Sequence, residues 1–250
     1  MSPDPMHMTL REIQEKLSEK YELEVTPVNF GNKEIKLLQI KNLEEYVIKR
    51  VETDDIPTFD NPTEEVLYHL KHLPWWAKLW EPSFVLAYFL GNQPVVPGRR
   101  MLEIGAGLGF VGVYAALCGH DVTISDVEPD ALLFARANAL LNGLDNLEVI
   151  SIDWSLPFDG MPYDVIFGSE VVYDRNTYDM LVNFLDSALK PDGTVFLAKN
   201  RDLKTPLFFM KLVERFRFKE RVVRLKGSEE VIEVALYAIQ KKPDSGTASR

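Results

Sequence analysis

The stretch Glu103-Ile104-Gly105-Ala106-Gly107-Leu108-Gly109 joins a short apolar run at 101–104 to a longer apolar segment at 110–118. The first has the length of a strand and the second that of a helix, so the glycines fall on a strand-to-helix turn. Glycine there lets the backbone turn sharply and lets a ligand approach main-chain N–H groups. A dinucleotide fingerprint asks for a third glycine three positions after Gly107, where this chain has Phe110. No Gly-Lys-Ser/Thr follows, which excludes a phosphate P-loop. The turn therefore indicates a nucleotide-like ligand of another kind.

Outward from this turn the chain alternates. Apolar strands are expected at 101–104, 122–125, 147–152, 165–168 and 194–198, with helices at 110–118, 130–141, 177–189 and 206–216. Strands that read as nearly continuous apolar runs suit a parallel sheet covered on both faces. The rhythm predicts an α/β fold, a doubly wound Rossmann-like sheet. The segments 216–225 and 231–239 alternate apolar and polar residues around Lys226-Gly227-Ser228, which predicts a C-terminal antiparallel hairpin.

Upstream of Pro97-Gly98 the pattern is mixed. Thr9-Leu10-Arg11-Glu12 has the form of a capping box, with Leu10, Ile13 and Leu17 on one helical face. Two strands, 25–30 and 35–40, meet at Gly31-Asn32, a pair suited to a tight turn. A helix at 43–51 and a helix start at Asn61-Pro62-Thr63-Glu64 follow. The organisation expected is an N-terminal α+β extension at 1–97, a ligand-binding domain at 98–241 and a disordered polar tail at 242–250. The extension is either a stabilising lid or a module for substrate recognition. Trp75-Trp76 reads as packing beneath it.

Composition narrows the function. The chain has 250 residues, 28 Lys+Arg and 38 Asp+Glu, hence a formal charge of −10. This balance argues against broad binding to a phosphate backbone, so no nucleic-acid partner is expected. An apolar content of 46% excludes a disordered or collagen-like chain. The longest apolar run, 84–90, falls well short of the roughly 20 residues that span a bilayer. The N-terminus lacks the basic patch and apolar stretch of a signal peptide, and a cytoplasmic location is expected. Cys118 is the single cysteine and reads as a buried structural thiol. His7, His69, His72 and His120 have no metal-ligand spacing, and no metal is expected.

Two more strand ends carry polar residues. Asp126 closes the second strand, where a carboxylate can accept ribose hydroxyls. Asp153-Trp154 closes the third, where an acid and an indole suit an adenine edge and face. Open α/β sheets bind ligands at these strand ends.

The glycine turn, followed by acids after strands two and three, resembles the class I S-adenosylmethionine-dependent methyltransferases. That resemblance implies a seven-stranded sheet with an antiparallel strand inserted near its end. It also implies S-adenosylmethionine as cofactor and S-adenosylhomocysteine as product. After the fourth strand, Ser169-Glu170-Val171-Val172-Tyr173 resembles the Asp/Glu-x-x-Tyr signature of the seven-β-strand protein methyltransferases, many of which modify lysine. Trp80-Glu81-Pro82-Ser83 is similar to the tryptophan segment that precedes the glycine turn in that group.

By this resemblance Trp80, Gly105, Ala106, Gly107, Asp126, Trp154 and Ser169 are cofactor contacts. Glu103 is an acid that orients the glycine loop, and Glu170 and Tyr173 are catalytic. The implied reaction is N-methylation of a lysine in a protein substrate. Methylation of a small molecule on the same scaffold, or non-catalytic cofactor binding, are the alternatives.

Overall fold

The computed structural model describes residues 5–53, 73–226 and 231–243. The helix start at Asn61, His69 and His72, the tip of the hairpin at Gly227-Ser228 and the tail from 244 lie outside the described residues. The chain opens with α1 (Leu10–Ser18), whose Thr9–Glu12 capping box forms as expected. The strands β1 (Leu23–Phe30) and β2 (Lys33–Ile40) pair antiparallel about Gly31. Gly31 adopts φ +59° in that turn. Helices α2 (Leu43–Thr53) and α3 (Glu81–Gly91) follow, the latter started by Pro82 in its first turn.

The remainder alternates as predicted. The elements are β3 (Arg100–Glu103), α4 (Phe110–Leu117), β4 (Asp121–Asp126), α5 (Pro129–Leu141), β5 (Glu148–Ser151) and β6 (Tyr163–Ser169). Then come α6 (Tyr178–Ala188), β7 (Leu189–Asn200), α7 (Pro206–Leu212), β8 (Phe216–Lys226) and β9 (Val231–Lys241). The seven strands lie in the order β5-β4-β3-β6-β7-β9-β8, and β9 runs antiparallel to both neighbours. From β3 the chain winds outward first to β4 and β5, then to β6 and β7. This reversal of direction leaves a crevice at the carboxyl ends of β3, β4 and β6, as in other doubly wound sheets. β7 starts at Leu189, five residues earlier than the apolar run suggests, and Pro191-Asp192-Gly193 falls where its register with β6 shifts, between the Leu189 and Thr194 pairings.

Each face of the sheet carries its own core. On one face α6 and α7 bury Tyr178, Leu181, Phe184 and Phe208 against Leu102, Ile166 and Leu197. On the other, α3, α4 and α5 pack with α1 and the β1–β2 hairpin. Ile13, Leu17, Ile35 and Leu37 share that core with Phe110 and Phe134, so the N-terminal elements cover the sheet rather than standing apart from it.

The hairpin is bolted down by two asparagines, one in α5 and one at its C-cap. Asn138 and Asn142 each use a side-chain amide to pair with the backbone N–H and C=O of one β2 residue, Leu38 and Lys36 respectively. Residues four apart on a helix are separated by about 6 Å along its axis, and residues two apart on a strand by about 6.7 Å. The match lets a helix face complete the free edge of β2. Asn138 also donates to the Leu108 carbonyl at 2.9 Å and so ties this assembly to the glycine loop. Among the described residues no helix is long and apolar enough to cross a membrane.

Candidate active site

The glycine loop leaves β3 with Gly105, Gly107 and Gly109 at φ +57°, +54° and +74°. L-residues with a side chain enter this left-handed region at a cost of about 1–2 kcal/mol each. Space forbids a side chain as well. A Cβ on Gly107 would lie 2.4 Å from the Trp76 carbonyl oxygen, and one on Gly105 would lie 2.8 Å from Val171. The loop is thus seated between the segment before α3 and the residues after β6. Ala106 is anchored by its N–H to the Ser125 carbonyl at 3.1 Å, whereas the Gly105 N–H takes no partner in the chain among the described residues.

Asp126, at the end of β4, is 7% exposed. Its Oδ2 accepts the Gly107 N–H at 2.8 Å, and its Oδ1 accepts the N–H groups of Val127 and Glu128 at 2.8 and 3.0 Å. Burial pushes this carboxyl above its ordinary range, and the three N–H bonds oppose that shift. A carboxylate offers about four acceptor positions. Three are taken, which leaves room for one hydroxyl of a ribose rather than both.

Glu103 lies deeper, 2% exposed, and its Oε2 accepts the Gly112 N–H at 2.9 Å. Gly112 is the third residue of α4, whose N-cap position is Gly109 and offers no side chain. Glu103 therefore supplies from β3 the capping oxygen that the helix lacks. Burial pushes its carboxyl well above the usual range; the Gly112 N–H opposes this and the nearby Asp126 adds to it. Glu103 acts on the loop through the helix that comes after it.

Trp154 is half-buried, and its ring edge lies 3.8 Å from where a Gly105 Cβ would be. Asp153 beside it is exposed. Its Oδ1 accepts the Ser155 N–H at 2.8 Å in a tight turn, and hydrogen bonds to Ser155 hold its carboxyl below the ordinary range. Trp80 stands just before α3, with its indole N–H donating to the Trp75 carbonyl at 3.2 Å. The Lys78 ammonium sits 4.2 Å from its ring centre. Trp76 packs on Phe134 and Tyr21 as the packing reading expects, while Trp75 is 40% exposed and stacks toward Trp80.

Ser169 ends β6 and shares a 3.1 Å hydrogen bond with the buried Ser83 of α3. Glu170 is next, with φ +54°, one of two non-glycine residues in the left-handed region among the described residues. Its N–H donates to the Ala198 carbonyl at 2.9 Å, and its Oε1 accepts the Asn200 N–H at 2.5 Å. Burial raises the Glu170 carboxyl; the Asn200 N–H and the Lys199 charge pull it down, and Glu81 pushes it up. Tyr173 is 62% exposed at the rim. Burial raises its hydroxyl above the ordinary range, and the charges of Asp126, Asp174 and Glu128 add to that shift.

The arrangement fits S-adenosylmethionine. It has a glycine-rich loop with an unclaimed N–H, an acid with one open acceptor position, an indole beside the loop and a pinned carboxylate after β6. Asn138, Lys199 and Asn200 also bond to these segments or to their partners, and no local motif signals them. Elsewhere, His120 is buried with its Nε2 3.0 Å from the Leu90 carbonyl, and Cys118 is half-buried rather than fully so. Among the described residues no His, Cys, Asp and Glu side chains cluster as metal ligands.

A family model described as "Lysine methyltransferase" matches residues 75–216. "Protein N-lysine methyltransferase METTL21A" of Danio rerio is 36% identical over 153 residues, 58% of this chain and 70% of that protein. "EEF1A lysine methyltransferase 3" of Xenopus tropicalis is 30% identical over 160 residues, 61% of this chain and 71% of that protein. The solved structure of ribosomal protein L11 methylase from Lactobacillus delbrueckii subsp. bulgaricus has the same fold, with a TM-score of 0.55 at 19% identity. It covers 87% of this chain and 100% of its own. The family match takes in Trp80, the glycine loop, Asp126, Trp154 and Glu170 through Tyr173, and it spans more than half of the sequence. The chain belongs to the lysine methyltransferase family and is an S-adenosylmethionine-dependent methyltransferase of the class I fold.

Proposed function

We propose that the enzyme methylates the side-chain nitrogen of a lysine in a protein, with the cofactor across the ends of β3, β4 and β5 and the acceptor beside Glu170 and Tyr173. The observation that carries this reading is the setting of Glu170. A residue held left-handed at a strand end, with one carboxylate oxygen pinned by Asn200, has its other oxygen left for an incoming donor. S-adenosylmethionine would supply a sulfonium-bound methyl carbon for in-line attack by a nitrogen lone pair, the N–C bond forming as the C–S bond breaks and S-adenosylhomocysteine leaves.

The chain's task is alignment, which can supply a large share of the rate. Glu170 accepts an N–H of the acceptor amine and so fixes the direction of its lone pair. Tyr173 offers a hydroxyl and an aromatic face that tolerates a cationic nitrogen. A carboxylate beside lysine favours the ammonium form, and the apolar surroundings that raise the Glu170 carboxyl favour the neutral amine. The amine passes its proton to water. Asp126, Trp154, Trp80, Ser169 and the loop residues Gly105, Ala106 and Gly107 hold the cofactor, with Asp153 at its rim and Glu103 fixing the loop.

The charges of Glu81, which acts on Glu170, and of Asp126, Glu128 and Asp174, which act on Tyr173, together with the net charge of −10, suit a lysine in a basic neighbourhood. The described N-terminal elements, α1 and the β1–β2 hairpin, then serve as the cover on which acceptor selectivity is built. The test is transfer of tritium from labelled S-adenosylmethionine into an extract of cells lacking the gene. Label in a protein band supports the reading, and label confined to metabolites contradicts it.

A further inference from the structure

Lys199 is the only lysine among the buried polar residues described, with 3% of its surface exposed. It lies on the face of β7 that carries Val195 and Leu197, where the strand period asks for an apolar side chain. Burying an ammonium is costly, and an apolar residue of similar volume would serve packing as well or better. Its partners indicate what the charge does.

Lys199 Nζ donates to the carbonyl of Asn200 at 2.9 Å and, in a short contact, to that of Leu203. The ammonium thereby closes the loop that leaves β7. The same stretch of strand holds Glu170 from both sides. Ala198, just before Lys199, accepts the Glu170 N–H, and Asn200, just after it, donates its N–H to Glu170 Oε1. Lys199 thus sits between the two residues that fix Glu170, and it clamps the one whose N–H pins the carboxylate.

We propose that Lys199 is a positioning residue for methyl transfer, its buried ammonium tying the Asn200–Leu203 loop so that the Asn200 N–H holds Glu170 toward the acceptor. The proposal rests on the reading that Glu170 faces the acceptor amine. Lys199 is not a base in this scheme, because both of its described contacts are donations. Burial lowers the Lys199 ammonium below its ordinary range; of the charged groups around it, Glu170 and Glu220 favour the charged form and Lys204 opposes it.

The experiment uses the full chain labelled with carboxyl-13C glutamate, with the Glu170 signal assigned by its loss in Glu170→Gln. In Lys199→Met the Glu170 titration should move to higher pH, since a positive charge and an ordered N–H donor are both lost. Transfer of tritium from labelled S-adenosylmethionine to protein should fall by about tenfold to a hundredfold. Affinity for S-adenosylmethionine, by calorimetry, should stay within about twofold, because Lys199 touches none of the cofactor-side residues. Lys199→Arg, which keeps charge and donors, should restore part of the transfer.

An unchanged Glu170 titration in folded Lys199→Met overturns the proposal, whatever the activity. An intact transfer rate in that variant, with Glu170→Gln slowed, also overturns it while leaving the role of Glu170 standing. Full activity in Glu170→Gln instead removes Glu170 from the chemistry, a separate failure. If Lys199→Met does not fold, the 15Nζ signal of Lys199 is compared between the unaltered protein and Glu170→Gln. A shift supports the link, and an identical signal refutes it.

Discussion

Asp126 Oδ2 and the Gly107 N–H are 2.8 Å apart, so the acid that ends β4 and the middle glycine of the loop after β3 form one unit. The carboxylate read from sequence as a ligand contact is also the brace of the glycine loop, for which cofactor contacts are likewise proposed. Asp126→Ala should therefore weaken S-adenosylmethionine binding and lower stability together. A hydrogen bond to a charged group is worth about 1.5–3 kcal/mol, which corresponds to a loss of roughly one to two orders of magnitude in affinity. Asp126→Asn keeps an oxygen for one set of donors and should lie between. Calorimetry and a thermal melt on both variants check this; unchanged affinity in a folded Asp126→Ala would take Asp126 out of the site.

Gly107→Ala tests the seat of the loop. Its Cβ meets the Trp76 carbonyl at 2.4 Å, and its φ is +54°. The backbone term alone costs about 1–2 kcal/mol, and the Trp76 segment must move as well. Cofactor affinity should fall with the melting temperature. At Gly143, φ +73° with open space around the Cβ position, alanine should cost only the backbone term and leave affinity unchanged.

Asn138→Ala should destabilise by about 2–4 kcal/mol, since it strands the N–H and C=O of Leu38 and the C=O of Leu108 in the core. Because Leu108 belongs to the glycine loop, S-adenosylmethionine affinity should drop as well. A denaturant melt read alongside calorimetry separates a purely structural bolt, which would leave affinity intact, from a link between hairpin and site.

Glu103 gives a dependence on pH with a definite sign. Its folded-state carboxyl lies well above the unfolded value near 4.5 because it is buried. The folded state then binds more protons than the unfolded state between those two values, and stability from this group falls as pH rises through that window. Glu103→Gln retains an oxygen for the Gly112 N–H and removes the titration. The stability of Glu103→Gln relative to the unaltered protein should increase as pH rises from about 4.5 upward. A flat difference across that range, from urea melts at several pH values, contradicts the assignment.

The parts of the fold that sequence makes legible are those whose signal is local. Glycines at strand-to-helix turns, the Thr9–Glu12 box and the apolar strand runs each act within a few residues of themselves. Asp126 and Trp154 are placeable because the end of a strand in an open sheet points its next residues into the crevice. The asparagine bolt is not legible, since Asn138 and Asn142 meet β2 a hundred residues away in sequence and look like ordinary helix-surface amides. Nor is the capping role of Glu103, which sits on a strand and caps a helix across the glycine turn. The left-handed Glu170 depends on the position of β7, which no stretch around it encodes. Lys199 is hidden by its own chemistry, because a lysine in a strand ordinarily marks the solvent side.

Glu170→Gln and Tyr173→Phe should keep S-adenosylmethionine affinity within about twofold while slowing transfer by about tenfold or more. For the unaltered enzyme, transfer should rise with pH through an inflection above the ordinary glutamate range, as the buried Glu170 ionises. That inflection should be absent in Glu170→Gln. Full turnover in both variants would make the motif structural.

The most direct measurement is the chemical identity of the methylated atom. Purified enzyme is given tritiated S-adenosylmethionine and an extract of cells lacking the gene, and the labelled protein is hydrolysed to amino acids. Radioactivity should elute as ε-N-methylated lysine and should fall sharply when the enzyme carries Glu170→Gln. Label on arginine or histidine, or recovery of the label only in small molecules, would contradict a protein-lysine acceptor.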